Sequence, residues 1–349
     1  MSSLLKRPVY GPREDGLLLE ELNALTRHHL EGCPAYRRVW PHWSTAPRFE
    51  DLPFLHVGIF KHLIWKTAGP GIQHQRLLLS SATTSGISSQ IVLDTESSLL
   101  QAESAKAIFQ HYLGNAIRPL LILDSARSLQ RRGEISARIA AAMSLKPLAS
   151  DLYFLLTDSD NPESLQWDVV EKACRQNDEV LIYGFTWMLW LAWARGEMPL
   201  PMRDLMRHKR IVFVHSGGWK KLENLEVNRK QLEEALLETA GPGSLVLDFY
   251  GLVEQTGLIY PLCAAERRHV PVWAQVLVRD PHSLQALPPA ETGMLQLLNS
   301  LAWGAPYHSV LTEDLGMLLD PPCPCGLSGP SFQLQGRIPK AEIRGCANV

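Results

Sequence analysis

Apolar and polar positions follow one rhythm up to about residue 255 and another beyond it. PLLILDS (119–125), VLIYGF (180–185), RIVFVHS (210–216) and SLVLDFYG (244–251) are short apolar runs that read as strands. Between them, SARIAAAMSL (136–145), TWMLWLAWA (186–194) and KKLENLEVNRKQLEEALLETA (220–240) show helical spacing, the last stopping at Gly241-Pro242. DTESSLLQAESAKAIFQHYLG (94–114) reads as a further helix, with Thr95 and Ser97 as candidate caps. Residues 1–60 read as helical and loop-rich with Pro and Trp punctuation, and 77–93 as two apolar runs around a Ser/Thr loop. Strands alternating with helices predict sheets flanked by helices.

Past residue 255 the pattern turns to short alternations. VPVWAQVLVRDP (270–281), ETGMLQLLNSL (291–301), SVLTEDLGMLL (309–319), FQLQGRI (332–338) and AEIRG (341–345) read as antiparallel, turn-bounded strands. The expected fold class is therefore α/β: a body over 1–255 with helix-flanked sheets, then a β-rich lobe over 256–349.

Composition narrows the function. The chain has 349 residues, 46% hydrophobic and 20% charged, and a formal net charge of −2. Such a chain folds, and its charge argues against a broad basic surface for nucleic acid. Six cysteines are too few for a disulfide scaffold. The N-terminus MSSLLKRPVYGPREDG lacks the apolar stretch of a signal peptide. The most apolar run, Val180–Ala194, is shorter than the ~20 residues that span a bilayer. The expectation is a cytoplasmic protein with reduced thiols and no membrane span.

Four segments could carry chemistry. SSATTSGISS (80–89) offers hydroxyls and backbone N–H groups of the kind that cradle phosphate oxygens, although it is not a Walker-type loop. Alone, it equally describes a polar surface loop. DFYGLVEQTG (248–257) places an aromatic, a glycine and a carboxylate at a strand end, where α/β sheets bind ligands. Tyr250 could stack on a base, Gly251 lets the backbone approach it, and Glu254 could hold Mg²⁺; the plainer reading is a core tyrosine and a solvated glutamate. In LTEDLG (311–316), an Asp in a tight turn between β segments could hold two ribose hydroxyls. In GRIPKAEIRGC (336–346), Arg337 could reach a phosphate or ribose.

In this order the four segments resemble the phosphate loop, adenine/magnesium motif, ribose motif and hinge motif of the adenylate-forming superfamily. LPFLHVGIFK (52–61), VLIYGFT (180–186), HSGGWKKL (215–222), DFYGLVEQTG, LTEDLG and AEIRGC (341–346) more narrowly resemble the acyl-protein synthetase (LuxE) family of bacterial luminescence, which is similar to phenylacetate-CoA ligases. The resemblance covers about residues 50–349. It implies that a carboxylic acid, a fatty acid by inheritance from the family, reacts with ATP and Mg²⁺ to give an acyl-adenylate, and that the acyl group then moves to a thiol. On matching positions Ser81, Thr83, Thr84, Ser85 and Gly86 would hold phosphates, with Gly217 and Gly218 beside the nucleotide. Tyr250 and Gly251 would meet adenine, Glu254 Mg²⁺, and Asp314 and Arg337 the ribose; Phe185 and Trp219 would border the acyl pocket.

The loop departs from the family pattern at Ala82, where a glycine is expected. The family's mobile C-terminal domain, with its catalytic lysine, is expected to be absent or vestigial here, so Lys220 is the candidate for the missing charge. The resemblance makes Cys346 the acyl acceptor and implies a reductase-like or carrier protein as the next acceptor; beside Arg344, its thiolate would be favoured. The alternatives are a ligase that loads coenzyme A or a carrier thiol or forms an amide, and a weakened scaffold that binds nucleotide or a partner. Cys263, His269, Cys323 and Cys325 form a Cys₃His set suited to tetrahedral Zn²⁺, a pattern similar to that of phenylacetate-ligase relatives; three structural thiols and a surface histidine is the other reading. Trp187, Trp190 and Trp193 recur at helical spacing and read as core packing, with a lining of the acyl pocket as the alternative.

Overall fold

The computed structural model describes residues 3–80, 87–129, 134–217, 219, 222 and 225–338. The chain divides into two compact units, one joining Met1–Ser104 to Leu252–Val349 and the other formed by Ala105–Gly251. The single boundary expected near residue 255 thus lies close to the second of two crossings. The N-terminal hundred residues, expected with the α/β body, belong with the β-rich part.

The chain opens in the discontinuous unit with helix α1 (Asp15–Gly32), the short strand β1 (Leu55–His56), and the strands β2 (His74–Leu79) and β3 (Gln90–Asp94). Helix α2 (Thr95–Leu113) carries the chain from one unit to the other. Its cap is Asp94, whose Oδ2 accepts the Ser97 N–H at 3.0 Å; Thr95 is already its first helical residue.

The α/β unit follows as β4 (Arg118–Ile122), α3 (Ala137–Ser144), β5 (Ala149–Phe154), α4 (Trp167–Gln176), β6 (Glu179–Phe185), α5 (Leu200–Met206), β7 (Arg210–Ser216), α6 (Arg229–Leu237) and β8 (Leu245–Tyr250). These five strands run parallel in the order β8-β7-β6-β4-β5. Every residue of β4 is buried, as are all but the end residues of β6, which is why these strands read as unbroken apolar runs rather than alternations. Glu179 at the start of β6 binds both Arg118 of β4 and Arg210 of β7, so one carboxylate ties three strand starts together.

The expected helix at 186–194 forms, but it widens into a π turn over Leu189–Ala194. Trp187, Trp190 and Trp193 are buried in the core of this unit, with Trp193 edge-on to Phe213 and donating to Thr239 Oγ1 at 3.0 Å. The helix expected over 220–240 is shorter: α6 starts at Arg229. Asn228 and Gln231 form a reciprocal capping box there, and Glu226 has a left-handed φ of 51°, which a helix interior does not allow.

The chain then returns to the discontinuous unit as β9 (Arg268–His269), β10 (Ala274–Arg279), β11 (Gly293–Asn299), β12 (Ser309–Leu319) and β13 (Ser331–Arg337). They pair antiparallel in the order β9-β13-β12-β11-β10. Strand β1 joins β12 in parallel, setting Leu55 against Val310 and His56 against Leu311. Among the described residues, no helix is long and apolar enough to cross a membrane.

Helix α1 is fastened to the strand connections of this unit through histidines. His29 donates from Nε2 to the Ala302 carbonyl (2.9 Å) and accepts the Thr67 hydroxyl at Nδ1 (2.7 Å). Thr26 gives its proton to the Leu22 carbonyl, so it accepts His308 Nε2–H at 2.9 Å. The His29 and His308 rings stack with centroids 4.8 Å apart. Burial holds both well below the usual histidine range, His308 at about 3, and His28 beside them pushes in the same direction. A folded value below the unfolded one means stability is present above ~6.5 and lost as pH falls. From about pH 6.5 to 5, His308 alone accounts for about 2 kcal/mol of lost stability, with His29 adding to it. Urea unfolding across that range checks this: His308→Gln is expected to flatten the slope, and an unchanged slope would remove His308 as its source.

Candidate active site and metal centre

The Ser/Thr loop springs from a hairpin. Strands β2 and β3 pair as far as Leu79 and Gln90. Ser80 N–H then donates to the Ser89 carbonyl (3.1 Å), and Ser89 N–H donates to Ser80 Oγ (2.7 Å). A side chain therefore closes the base of the loop. The predicted phosphate contacts Ser81, Thr83, Thr84, Ser85 and Gly86 lie outside the described residues, as do Gly218, Lys220 and Cys346.

Glu254 occupies a 3₁₀ turn, Val253–Gln255, and is only 4% exposed. Burial pushes its carboxyl up from the usual carboxylate range; a hydrogen bond from Ser89 draws it down, Asp314 adds to the rise, and the Lys61 ammonium opposes it. So the carboxylate is not the solvated one that the plainer reading allowed. An acidic group kept from water beside a second carboxylate has the chemistry of a divalent-cation ligand, because a cation offsets both.

Asp314 does not lie in a turn. LTEDLG runs inside β12, whose pairing shifts register beside it, between Leu315 and Gly316. Such a bulge can re-aim a side chain without ending the strand. Asp314 N–H donates to Thr312 Oγ1 at 3.1 Å. Across the ladder Asp314 opposes Arg337, whose Nε donates to Asp314 Oδ1 at 2.6 Å. The two residues expected at the ribose are therefore neighbours. Lys61 had no role in the sequence reading. Its 3₁₀ turn, Val57–Lys61, follows directly from the β1–β12 pairing, and its charge acts on both Glu254 and His56. A single lysine after an apolar tripeptide gives no periodic signal that would reveal this.

In the α/β unit, predicted residues cluster at the carboxyl ends of the parallel strands, where such sheets bind ligands. Phe185 ends β6 and Tyr250 ends β8, both half-buried, with Gly251 exposed after the latter. Gly217 follows β7 with φ 54°, a turn that suits glycine. Trp219 is half-buried, edge-on to His215 at 6.3 Å. Two polar pairs went unread in the sequence: Thr186 Oγ1 with His215 Nδ1 (2.9 Å) and Tyr183 OH with Ser216 Oγ (3.2 Å). Asp124, beyond β4 where strand order reverses, is committed to Ser128 (2.8 Å) and Arg138 (3.2 Å), so it serves as an anchor.

Cys263, His269, Cys323 and Cys325 converge, with one ligand atom from each within 4.8 Å of all the others. Cys263 and Cys323 sulfurs are 3.8 Å apart, and Cys325 Sγ lies 3.2 Å from His269 Nε2. Zn–S bonds of ~2.3 Å on a tetrahedron place sulfurs ~3.8 Å apart. The Cys323-Pro-Cys-Gly turn is closed by Gly326 N–H donating to the Cys323 carbonyl (2.9 Å), and the strand β9 delivers His269.

This fold is shared with acyl-CoA ligases of known structure. It matches a 2-hydroxyisobutyryl-CoA ligase, solved in an open conformation with 2-HIB-AMP and CoA, at a TM-score of 0.67 and 18% identity, over 96% of this chain and 78% of that one. The same ligase in its thioesterification state matches at 0.62 and 15% identity, over 96% and 71%. More narrowly, the chain belongs to the acyl-protein synthetase (LuxE) family, whose model matches residues 13–349. Long-chain-fatty-acid–luciferin-component ligases are similar to part of it: that of Aliivibrio fischeri is 24% identical over 40% of this chain, and that of Vibrio harveyi 23% over 39%. Each match spans 36% of the relative's own length.

Gly257, which closes the DFYGLVEQTG motif, has φ 80°, and a Cβ there would lie 2.4 Å from Gln101 Cα. Gly257→Ala combines left-handed strain with overpacking against a helix backbone, an expected loss of about 3 kcal/mol in urea unfolding. Unchanged stability would show that the turn beside Glu254 does not need this approach.

Proposed function

We propose that this protein activates a carboxylic acid, of the fatty-acid class, as an acyl-adenylate and transfers the acyl group to a protein thiol. The observation that supports this best is the buried Glu254 of DFYGLVEQTG, set beside Asp314 in a chain of this family. A carboxylate is a poor electrophile. Attack of its oxygen on the α-phosphorus of ATP forms the acyl–phosphate bond and releases pyrophosphate, so AMP becomes the leaving group. The thiolate then attacks the acyl carbon, the thioester forms, and AMP departs.

In this reading the hydroxyl loop, with Ser81, Thr83, Thr84, Ser85 and Gly86, binds phosphates, while Gly217 and Gly218 flank the nucleotide. Tyr250 stacks on adenine over Gly251. Asp314 accepts from the ribose hydroxyls, and Arg337, bonded to it, fixes its orientation. Phe185 and Trp219 border the acyl chain. The carboxylates Glu254 and Asp314 are hard oxygen donors, and Glu254 is the one that holds Mg²⁺; the ion supplies charge neutralisation on the phosphates. The Lys61 ammonium, which opposes the rise of the Glu254 carboxyl, joins Lys220 as a candidate for the positive charge at the phosphates. Cys346 accepts the acyl group, and a protein partner of reductase or carrier type takes it onward. The Cys₃His cluster suits zinc in a structural role, since all four protein donors would be used and no position stays open for substrate.

ATP–pyrophosphate exchange with a panel of carboxylic acids tests the first step. Glu254→Gln is expected to cut exchange by at least ~100-fold in a folded protein. Cys346→Ser is expected to keep exchange yet lose the hydroxylamine-sensitive label from radiolabelled acid. If exchange is absent in the wild-type chain with every acid, the ligase reading fails. If the serine variant labels like wild type, an external thiol or amine is the acceptor.

Elemental analysis tests the cluster separately. One zinc per chain is expected after metal-free purification buffers, and Cys323→Ser is expected to lose it with a lowered melting temperature. A wild-type protein that stays zinc-free when refolded with the metal would end that reading.

A further inference from the structure

We infer that Gln255 and Asn299 are positioning residues that aim Glu254 at its divalent cation, an inference that rests on Glu254 being the cation's ligand. Gln255 is the neighbour of Glu254 in the 3₁₀ turn and is 1% exposed; Asn299, at the end of β11, is 2% exposed. Asn299 Nδ2 donates to Gln255 Oε1 at 2.7 Å, and Gln255 Nε2 donates to the Tyr307 carbonyl at 2.6 Å. Asn299 is fixed in turn. Its N–H donates to the His308 carbonyl (2.8 Å), and its Oδ1 accepts the Leu301 N–H (2.9 Å).

The geometry gives this pair a task beyond filling the interior. A 3₁₀ turn has three residues per turn, so adjacent side chains project about 120° apart. Fixing the direction of Gln255 therefore fixes the azimuth of Glu254. An apolar side chain at 255 would be buried as well, but it could rotate about the turn axis, because packing is not directional. Two hydrogen bonds to different partners, one a side chain on β11 and the other a backbone carbonyl in the connection to β12, allow one orientation. The chain just past the turn is constrained as well, since a Cβ on Gly257 would lie 2.4 Å from Gln101 Cα. Glu254 is thus held through its neighbour in the turn, in the manner of the outer partners that orient metal ligands.

The test measures binding without turnover. Mn²⁺ affinity is read from the free Mn²⁺ EPR signal with the protein saturated by a non-hydrolysable ATP analogue. Gln255→Leu and Asn299→Ser are expected to weaken Mn²⁺ by about tenfold or more, the range found for outer-shell partners. Analogue affinity in EDTA is expected to change less than about twofold. Gln255→Glu keeps the acceptor offered to Asn299 and is expected to lose less than Gln255→Leu. Leu232→Ala, a core truncation in the α/β unit, is the control for general destabilisation and is expected to bind Mn²⁺ as wild type does. Wild-type Mn²⁺ affinity in folded Gln255→Leu overturns the inference, as does an equal loss in Leu232→Ala. If Gln255→Leu does not fold, Asn299→Ser decides in the same way. Glu254→Gln separates the two levels: if that variant keeps Mn²⁺ affinity, the reading of Glu254 itself fails, and if only Gln255 and Asn299 prove indifferent, the reading stands without this inference.

Discussion

A carboxylate held away from water places a strong demand on the β-rich unit, and three separate elements of that unit answer it. Burying an ionised carboxylate without compensation is costly enough that such a group ordinarily takes up a proton or finds partners. Glu254 has Ser89 as a hydrogen-bond donor and Lys61 as a counter-charge, with Asp314 acting against them. The balance leaves its carboxyl raised, so a divalent cation would satisfy the site better than the protein does alone. The hairpin that ends in Ser89, the bulged strand with Asp314 and the 3₁₀ turn after β1 each contribute one of these groups.

The same unit spends other polar groups on fastening its two chain segments together. Thr67 N–H and His74 Nε2 both reach the Gly304 carbonyl, and Ser97 Oγ accepts the N–H groups of Trp303 and Gly304. Gly304 itself leaves no room for a Cβ, which would come within 2.3 Å of Asp94 Oδ1. These contacts join residues 1–104 to residues beyond 252 through directional bonds, as the stacked histidines do. Directional bonding fixes register where apolar packing alone would tolerate sliding.

The α/β unit works by a different logic. Its central strands β4, β6 and β7 are buried on both faces, so their order and parallel register follow from helical crossovers and from the Glu179 link at the strand starts. The opposite strand ends are where its polar side chains and glycine turns collect. The tryptophans at 187, 190 and 193 belong to its core, and the π turn that carries Trp190 and Trp193 widens the helix where these indoles pack.

What the sequence determined by itself is local. Apolar runs marked β4, β6, β7, β8 and the antiparallel strands, because burial on one or both faces leaves a period that can be read along the chain. Four short motifs, taken in order, marked the family to which the chain belongs. Capping decided what periodicity could not: Asn228 with Gln231 begins α6 nine residues later than the apolar spacing suggests. Tertiary structure alone decided which distant pieces share a unit. The pairing of His56 with Leu311 brings Lys61 toward Glu254, and the hydrogen bond from the Asn299 amide to the Gln255 amide joins two residues that no local pattern connects. The four candidate ligand atoms of the cysteine–histidine set meet because β9 pairs with β13, the strand into which the Cys323–Cys325 turn leads. Contacts of that kind depend on strand pairing over long sequence separations, and pairing leaves no mark on either partner alone.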